Sequence, residues 1–590
     1  LVKFDFLGLT TLTILDWTLR YVRRLDPANT LSLDTLPLDD KRAYDILKAG
    51  NTTAVFQFES RGMRELLKQA PPTRFEDVIA LVALYRPGPM ELIPDYIARK
   101  SGRGSVEYGD RRLEPILGPT YGVMVYQEQV MQIAQVIGGY TLGAADLLRR
   151  AMGKKKQEEM GQQREIFVAG AQKNGVSTAK ASQLFNHMEK FAGYGFNKSH
   201  AAAYALIAYQ TAYFKAHHPA AFMAANLSLV MDDTDKVRLL YDDAVAQGLA
   251  MLPPDVNASG YRFEPVDRQR IRYGLGGVKG TGEAAIDSIV AARTQGGAFK
   301  DVFDFCRRVD KRLVNRRVLE ALIRAGAFDA IDIRRATLFA SVAVALGEAE
   351  RAEASAAQVS LFGEEQHATT LTLNSTREWS EGERLVHEKA ALGFYLSGHP
   401  FASFAAELAQ LVRQPLANLQ PKKDPVLLAG IVTALRIQTS RRGKMAFVTL
   451  DDGQGTAEIV VFNETFDAAR TLLREDELVV IEAKIMQRMG EDGQLQGLRV
   501  VAEEVHDLAA IRRRFAKGLR LAFNGGADAA RLYELLAPFR PGSCPVVVEY
   551  CTGGIAGEIE FPDAWQVTPD NALIAQLKDW LAPENVRVMY

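Results

Sequence analysis

GYTLGAADLLRRAMGKKK (139–156) and, a short way downstream, FAGYGFNKSHAAAYALIAYQTAYFK (191–215) govern the reading of this chain. The first segment places five cations, Arg149, Arg150, Lys154, Lys155 and Lys156, on one helical stretch. Arg150 and Lys154 are four residues apart and lie one above the other on a helix, with Arg149 and Lys156 near the same stripe. Guanidiniums offer forked donors to phosphate oxygens, and lysines add mobile point charges. The second segment opens on Gly193-Tyr194-Gly195, which permits a tight backbone, and then presents donors at Asn197, Lys198, Ser199 and His200. Tyr209 and Tyr213 are four apart on the helix that follows. Clustered positive charge beside aromatic rings suits a polyanion with a flat part: a nucleoside triphosphate or a nucleic acid strand. Two plainer readings stand beside it: a solvated basic face balanced by Glu158 and Glu159, and a tyrosine pair that belongs to the core.

Taken whole, the chain is nearly neutral, with a formal charge of −1 at pH 7, so any affinity for nucleic acid must come from local patches. Its 590 residues suggest about three to five domains at roughly 100–200 residues each. A hydrophobic content of 47% with 24% charged residues is ordinary for a globular protein, and no run of about eighteen apolar residues points to a membrane. Cys306, Cys544 and Cys551 are scattered without metal-ligand spacing, which excludes a zinc site of the usual kind and fits a reducing, cytoplasmic compartment. The start, Leu1-Val2-Lys3, has no signal-peptide pattern and reads as the inside of a longer protein.

Periodicity divides the rest. LVKFDFLGL (1–9) alternates as a strand, with Lys3 and Asp5 on one face and Val2, Phe4 and Phe6 on the other. Residues 10–250 are mostly helical, with a start at Asp39/Asp40 before KRAYDILKAG and stops at Gly50 and Pro71-Pro72. Short helices broken by glycines fill 261–340, and an Ala/Glu/Gln-rich helix frays into a mobile segment over 341–370. From Val426 the period becomes two: VLLAGIVTALRI, KMAFVTLDDG, TAEIVVF, ELVVIEAKI and LQGLRVVAEEV predict five strands, with a helix in FNETFDAARTLLRED between the third and fourth. That is the layout of an OB barrel. A mixed α/β region with Trp565 and Trp580 follows the basic run RRRFAKGLR. The predicted fold class is therefore multidomain α+β.

LVKFDFLGL (1–9), FQFES (56–60), YRPGPM (85–90), RRAMGKKK (149–156) and FAGYGFNKSHAAAYALIAYQTAYFKAHHPAAFM (191–223) together resemble, in order, the C family of bacterial replicative DNA polymerases, the polymerase III α subunits. The resemblance covers nearly the whole chain. It implies the end of the palm at 1–25, fingers at 26–260, a tandem helix-hairpin-helix and clamp-binding domain at 261–345, a clamp-peptide segment and connector at 346–424, the OB domain at 425–510, and at 511–590 a C-terminal domain that meets the clamp loader's τ protein. The implied activity is template-directed transfer of a dNTP onto a primer 3′-hydroxyl.

Residue by residue, the resemblance makes Asp5 the third catalytic carboxylate and a metal ligand, and places Lys3 near the incoming triphosphate. Arg149, Arg150 and Lys154 would hold its phosphates, and Asn197, Ser199 and His200 would surround the nascent base pair. Two Mg²⁺ ions about 4 Å apart need more than one carboxylate. In the family the other two lie upstream in the palm, so the site here is incomplete and this piece alone is expected to be inactive. The implied partners are primer-template DNA, single-stranded template, dNTP, the sliding clamp, τ and a separate proofreading exonuclease subunit, with no membrane. Two alternatives remain: a non-catalytic module binding DNA, clamp and loader, and the error-prone paralogue of the same family.

Three further motifs concern holding DNA and partners. Val278-Lys279-Gly280-Thr281-Gly282-Glu283, before the apolar Ile286 and Ile289, resembles the hairpin of a helix-hairpin-helix, whose glycines let backbone N–H groups approach a phosphate. The basic KRLVNRRVLEALIRAGAF that follows adds Arg316 and Arg317. Gln358-Val359-Ser360-Leu361-Phe362 resembles a sliding-clamp peptide, with Leu361 and Phe362 filling an apolar pocket and Gln358 at its rim; a helix end burying Leu and Phe in its own domain is the alternative. In the barrel, Arg436, Arg441, Arg442 and Lys444 cluster on the first strand and its hairpin, where OB folds meet single strands, with Phe447 placed to stack on a base. The plainer alternative is a barrel that only joins domains.

Overall fold

The computed structural model describes residues 8–154, 157–192, 195–357, 372–440, 443–489, 495–523, 528–552 and 555–590. Lys3, Asp5, Gln358, Leu361, Phe362, Arg441 and Arg442 lie outside them. The chain forms two compact units, one of Leu1–Trp379 with His387–Phe394 and one of Ser380–Val386 with Tyr395–Tyr590.

The first unit is helical, and its helices begin and end where local chemistry directs. Asp40 caps Lys41–Ala49 by accepting from the Ala43 N–H at 2.8 Å, and Ser60 caps Arg61–Gln69, which stops just before Pro71. The twenty-residue helix Lys198–His217 packs on Phe75–Leu84 and Lys41–Ala49, burying Ala201, Ala205, Ala208, Tyr209 and Ala212 in one core. Small residues on its buried side let the neighbouring helices approach closely.

A second core gathers four helices, Gln127–Gly138, Leu142–Lys154, Gln157–Lys173 and Thr178–Ala192. The first and third cross at a point where a Cβ on Gly170 would stand 1.9 Å from the Gly138 carbonyl oxygen, so only glycine fits there. On the cationic helix, Ala145, Leu148, Ala151 and Met152 are buried. The helical period then turns Arg149 and Arg150 away from that core.

Beyond these helices comes a small sheet of β1 (Ala250–Leu252), β2 (Glu264–Pro265) and β3 (Arg270–Arg272), in the order β1-β3-β2. The sequence predicts only helices there; strands of two or three residues are too short to show a period of two. Helices Glu283–Gly296, Val302–Arg308 and Arg316–Arg324 follow, with Ile286 and Ile289 fully buried, and then the long helix Arg335–Ala357. No helix among the described residues is long and apolar enough to cross a membrane.

In the second unit, β4 (Val426–Ser440), β5 (Gly443–Asp451), β6 (Thr456–Val461), β7 (Leu478–Met489) and β8 (Leu495–His506) close into a barrel of order β4-β5-β6-β8-β7. Leu428, Val432, Val448, Leu450, Ile459, Val461, Val479, Ile481 and Val500 fill its interior. Between β6 and β7 the helix Asn463–Ala469 adds Phe466 and Ala469 to that core. The five predicted strands and the inserted helix are all present.

The C-terminal part is a four-stranded mixed sheet of β9 (Gly518–Phe523), β10 (Val546–Thr552), β11 (Ile555–Glu560) and β12 (Val586–Met589), ordered β11-β10-β9-β12 with β9 and β10 parallel. Helices Ala529–Leu536 and Asn571–Leu581 cover it, and Trp565 and Trp580 pack half-buried against its core. Outside the barrel wall, helices Ala402–Leu408 and Leu508–Phe515 share a cluster with Ala429, Ile431 and Val480. Arg512, Glu407, Asn571 and Tyr590 tie these layers together: Arg512 Nε and Nη2 donate to Glu407 at 2.7 and 2.8 Å, Nη1 donates to Asn571 Oδ1 at 2.7 Å, and the Tyr590 hydroxyl donates to Glu407 at 2.6 Å.

Candidate nucleic-acid interface

Arg149 is fixed before any ligand arrives. Its Nε and Nη2 donate to Asp146 Oδ1 at 3.0 and 2.8 Å, and its Nη1 donates to Gln127 Oε1 at 3.1 Å. Three of the five guanidinium N–H bonds are thereby used, leaving two for a phosphate oxygen. Arg150, with 61% of its side chain exposed, pairs with Asp146 Oδ2 at 2.7 Å. Hydrogen bonds from Arg149, reinforced by both positive charges, hold the Asp146 carboxyl below its usual range. The arginines' counter-charge is thus Asp146, a residue the sequence reading does not weigh, although it stands three and four positions ahead of them. Lys154 ends the same helix.

Gln127 is the joint between the two sequence segments. The amide that accepts from Arg149 also donates, through Nε2, to the Gly195 carbonyl at 2.9 Å, while the Gln127 N–H donates to the Phe196 carbonyl at 2.9 Å. Next to it, Glu128 accepts from Asn197 Nδ2 at 3.0 Å and from the Lys198 N–H at 2.9 Å. Asn197 in turn caps the helix Lys198–His217 through the His200 N–H at 2.8 Å. Ser199 is exposed on that first turn. The start of one helix therefore brings Arg149 and the Asn197–His200 turn together. Gly193 and Tyr194 lie outside the described residues.

Of the tyrosine pair, one belongs to the core, as the plainer reading has it, and other rings face outward. Tyr209 is fully buried, donating to the Pro37 carbonyl at 2.7 Å and accepting from the Asp40 N–H at 2.9 Å, which makes it a core residue. Tyr213 is half-buried and stacks on His217 at 4.4 Å. Earlier on the helix, His200 stacks on Tyr204 at 4.4 Å and 27°, with Phe196 edge-on to His200 at 5.4 Å and Phe56 5.2 Å beyond Tyr204. Arg86, from YRPGPM, sits 4.4 Å over Phe196. All five side chains are half-buried, forming a ladder of flat groups that begins at the Arg149 grip.

The hairpins converge as well. Gly280 has φ +87° and Gly282 leads into Glu283–Gly296; neither glycine N–H has an acceptor among the described residues. Lys279 is exposed, and its own N–H donates to the Ala391 carbonyl at 2.7 Å. Arg317 from the second hairpin approaches to 3.6 Å from where a Gly280 Cβ would stand. Arg316 is exposed and pairs with Glu320 at 2.7 Å, one helical turn on.

On the barrel, Arg436 and Phe447 are direct cross-strand partners, and the guanidinium lies 4.6 Å over the ring. Arg436 also reaches Glu458 at 3.7 Å, an exposed pair of little energetic weight. Lys444 is exposed opposite Thr439. Replacing both Arg436 and Phe447 with Ala is expected to weaken binding of an oligo-dT by this chain about tenfold, since one base stack is worth about 1–3 kcal/mol. Anisotropy at fixed salt would show it, and unchanged affinity would leave the barrel a connector.

One group of possible metal ligands gathers among the described residues: Glu482, Glu504 and His506 on β7 and β8. It does not suit the expected Mg²⁺ pair. Arg514 already stands 3.5 and 3.1 Å from the two carboxylates, and Mg²⁺ prefers an all-oxygen shell.

A helical body, paired hairpins, a closed OB barrel and a mixed C-terminal sheet define a multidomain architecture whose parts match known families in the same order. The bacterial DNA polymerase III alpha subunit finger domain matches residues 11–175, a helix-hairpin-helix motif 248–338, an OB-fold nucleic acid binding domain 426–508, and the DNA polymerase III subunit alpha C-terminal domain 531–581. Whole-chain relatives agree. DNA polymerase III subunit alpha of Neisseria meningitidis serogroup A is 50% identical over 593 residues, covering 100% of this chain and 51% of the relative. The proteins of the same name from Pseudomonas aeruginosa and Escherichia coli K12 are 44% and 42% identical, with 53% and 52% of their lengths covered. The chain belongs to the bacterial DNA polymerase III α-subunit family. It spans about half the length of the curated relatives it matches. A solved replication protein A heterotrimer bound to single-stranded DNA aligns with 25% of this chain at 18% identity and a TM-score of 0.13, too loose a likeness to carry weight.

Proposed function

We propose that this chain supplies the fingers and the DNA- and partner-holding regions of a replicative DNA polymerase, which transfers a dNTP onto a primer 3′-hydroxyl. Arg149, Arg150 and Lys154 grip the triphosphate, with Asn197, Ser199 and His200 beside the nascent pair. The observation that carries this reading is Gln127, whose one side chain binds both the Arg149 guanidinium and the Gly195 carbonyl. The donors are thus set before substrate binds, and no reorganisation is needed as charge develops on the phosphates.

Lys3 and Asp5 complete the grip from the palm side in this reading. Two Mg²⁺ ions, when bound there, would activate the 3′-hydroxyl and stabilise the leaving pyrophosphate. Lys279, Gly280, Gly282, Arg316 and Arg317 hold the duplex backbone, and the barrel holds single-stranded template at Arg436, Arg441, Arg442 and Lys444. Such backbone contacts are sequence-independent and weaken as salt rises. Residues 511–590 meet the clamp loader's τ, and a separate exonuclease subunit proofreads.

Gln358, Leu361 and Phe362 form the clamp peptide. Changing Leu361 and Phe362 to Ala is expected to abolish capture of the chain on immobilised sliding clamp, because buried apolar anchors carry most of such an interface. Undiminished capture would reject the assignment.

A further inference from the structure

The loop from Asn51 to Ser60, which contains FQFES, is mostly interior: Thr52, Thr53, Ala54, Val55 and Phe58 are buried. Two of its non-glycine residues have left-handed backbone, Ala54 at φ 63° and Gln57 at φ 64°. There the Cβ crowds the following carbonyl, and such strain persists only where surroundings impose it. They do so here. Lys215 Nζ donates to the Thr53 carbonyl at 2.8 Å, the Phe56 N–H donates to Thr211 Oγ1 at 3.1 Å, and the Thr52 hydroxyl donates to the Phe58 carbonyl at 2.6 Å. Two of these three straps come from the helix Lys198–His217, which also carries His200 and Tyr204.

Ala54 is buried, so its conformation serves packing. Gln57 is exposed, and its side-chain amide has no hydrogen-bond partner among the described residues. Its neighbour Phe56 ends the aromatic ladder at Tyr204. The strained backbone therefore holds a polar, unengaged side chain outward, beside the Phe56 end of a stack of flat groups whose other end, at Phe196 and His200, adjoins the Arg149 grip through Gln127.

We propose that Gln57 reads the edge of a nucleobase seated along the Phe56–Tyr204–His200–Phe196 ladder, making it a specificity-determining residue of nucleotide insertion. The inference rests on the polymerase reading above. Stacking on rings is tolerant of base identity, whereas an amide offers one acceptor and two donors to a base edge at a fixed place. A rigid mount makes that check geometric: an edge displaced by mispairing loses the hydrogen bond.

The test is single-nucleotide insertion by the full-length polymerase carrying Gln57→Ala or Gln57→Gly, opposite matched and mismatched template bases. Each variant is expected to lose about three- to tenfold in matched kcat/KM, the worth of one hydrogen bond, and to narrow the matched-to-mismatched ratio by a similar factor. Gln57→Gly should melt no lower than the parent, because glycine takes positive φ freely. A merely structural Gln57 would give the other pattern: parental kinetics in Gln57→Gly, with losses in Gln57→Ala tracking a lower Tm. That pattern, or parental kinetics in both, overturns the inference. Arg149→Ala in the same assay separates the two levels. If it too is parental, the polymerase reading fails; if it is crippled while the Gln57 variants are parental, only the Gln57 proposal falls.

Discussion

Glu407→Ala should unfold the C-terminal unit of this protein more than any other single side-chain truncation discussed. Arg512 is 3% exposed and Glu407 12% exposed, and the carboxylate takes two guanidinium hydrogen bonds and the Tyr590 hydroxyl. Burial raises the Glu407 carboxyl, but the Arg512 hydrogen bonds and charge outweigh it and leave the group below its ordinary value of 4.5. Removing it strands a buried cation, at a cost of about 3–5 kcal/mol. For a unit of this size that lowers Tm by on the order of 10 °C. Because the folded carboxyl is depressed, its contribution is complete above the unfolded value and fades as pH falls through the folded one, so the gap between Glu407→Ala and parent should close in acid. Calorimetry across pH checks both statements. A Tm within a degree or two of the parent would mean that the layers around the barrel do not depend on this network.

Arg149→Ala should lower kcat/KM for dNTP insertion by the full-length polymerase about 10²–10³-fold, the usual loss on removing one preorganised donor. Arg149→Lys should recover little of it. Lysine keeps the charge but cannot span Asp146 and Gln127 while still presenting two N–H bonds to phosphate. Primer-template affinity should stay near parental in both, since the grip acts on the nucleotide. Steady-state dNTP titrations with a separate DNA-binding measurement test this. A drop in DNA affinity that accounts for the whole loss would reassign Arg149 to the duplex.

The barrel is legible in the sequence because its strands run six to fifteen residues and alternate cleanly. The cations at 149 and 150 are legible for a similar local reason: helical spacing shows which residues share a stripe. What holds them is not. Gln127 lies 22 residues from Arg149 and 68 from Gly195, and no periodicity links such positions. The tyrosines show the same dependence on distant partners. Spacing alone leaves open whether Tyr209 and Tyr213 join the core; packing against Phe75–Leu84 and Lys41–Ala49 buries Tyr209, while Tyr213 stays half-buried on His217 and Tyr204, on the same helix, half-buried on His200. RRRFAKGLR shows the limit of charge as a guide: Arg513 and Arg514 are exposed, while Arg512 beside them is buried because Glu407 arrives from a helix about a hundred residues earlier.

Chemical protection can show whether Arg149 and Arg150 hold the phosphates of the incoming nucleotide. The full-length polymerase, bound to primer-template ending in a dideoxy terminus, is treated with an arginine-selective dicarbonyl in the presence and absence of the next matched dNTP, and modification is read by peptide mass. The dNTP should shield both arginines, and the corresponding nucleoside, lacking phosphates, should shield neither. Equal modification of Arg149 and Arg150 with and without dNTP would contradict that assignment.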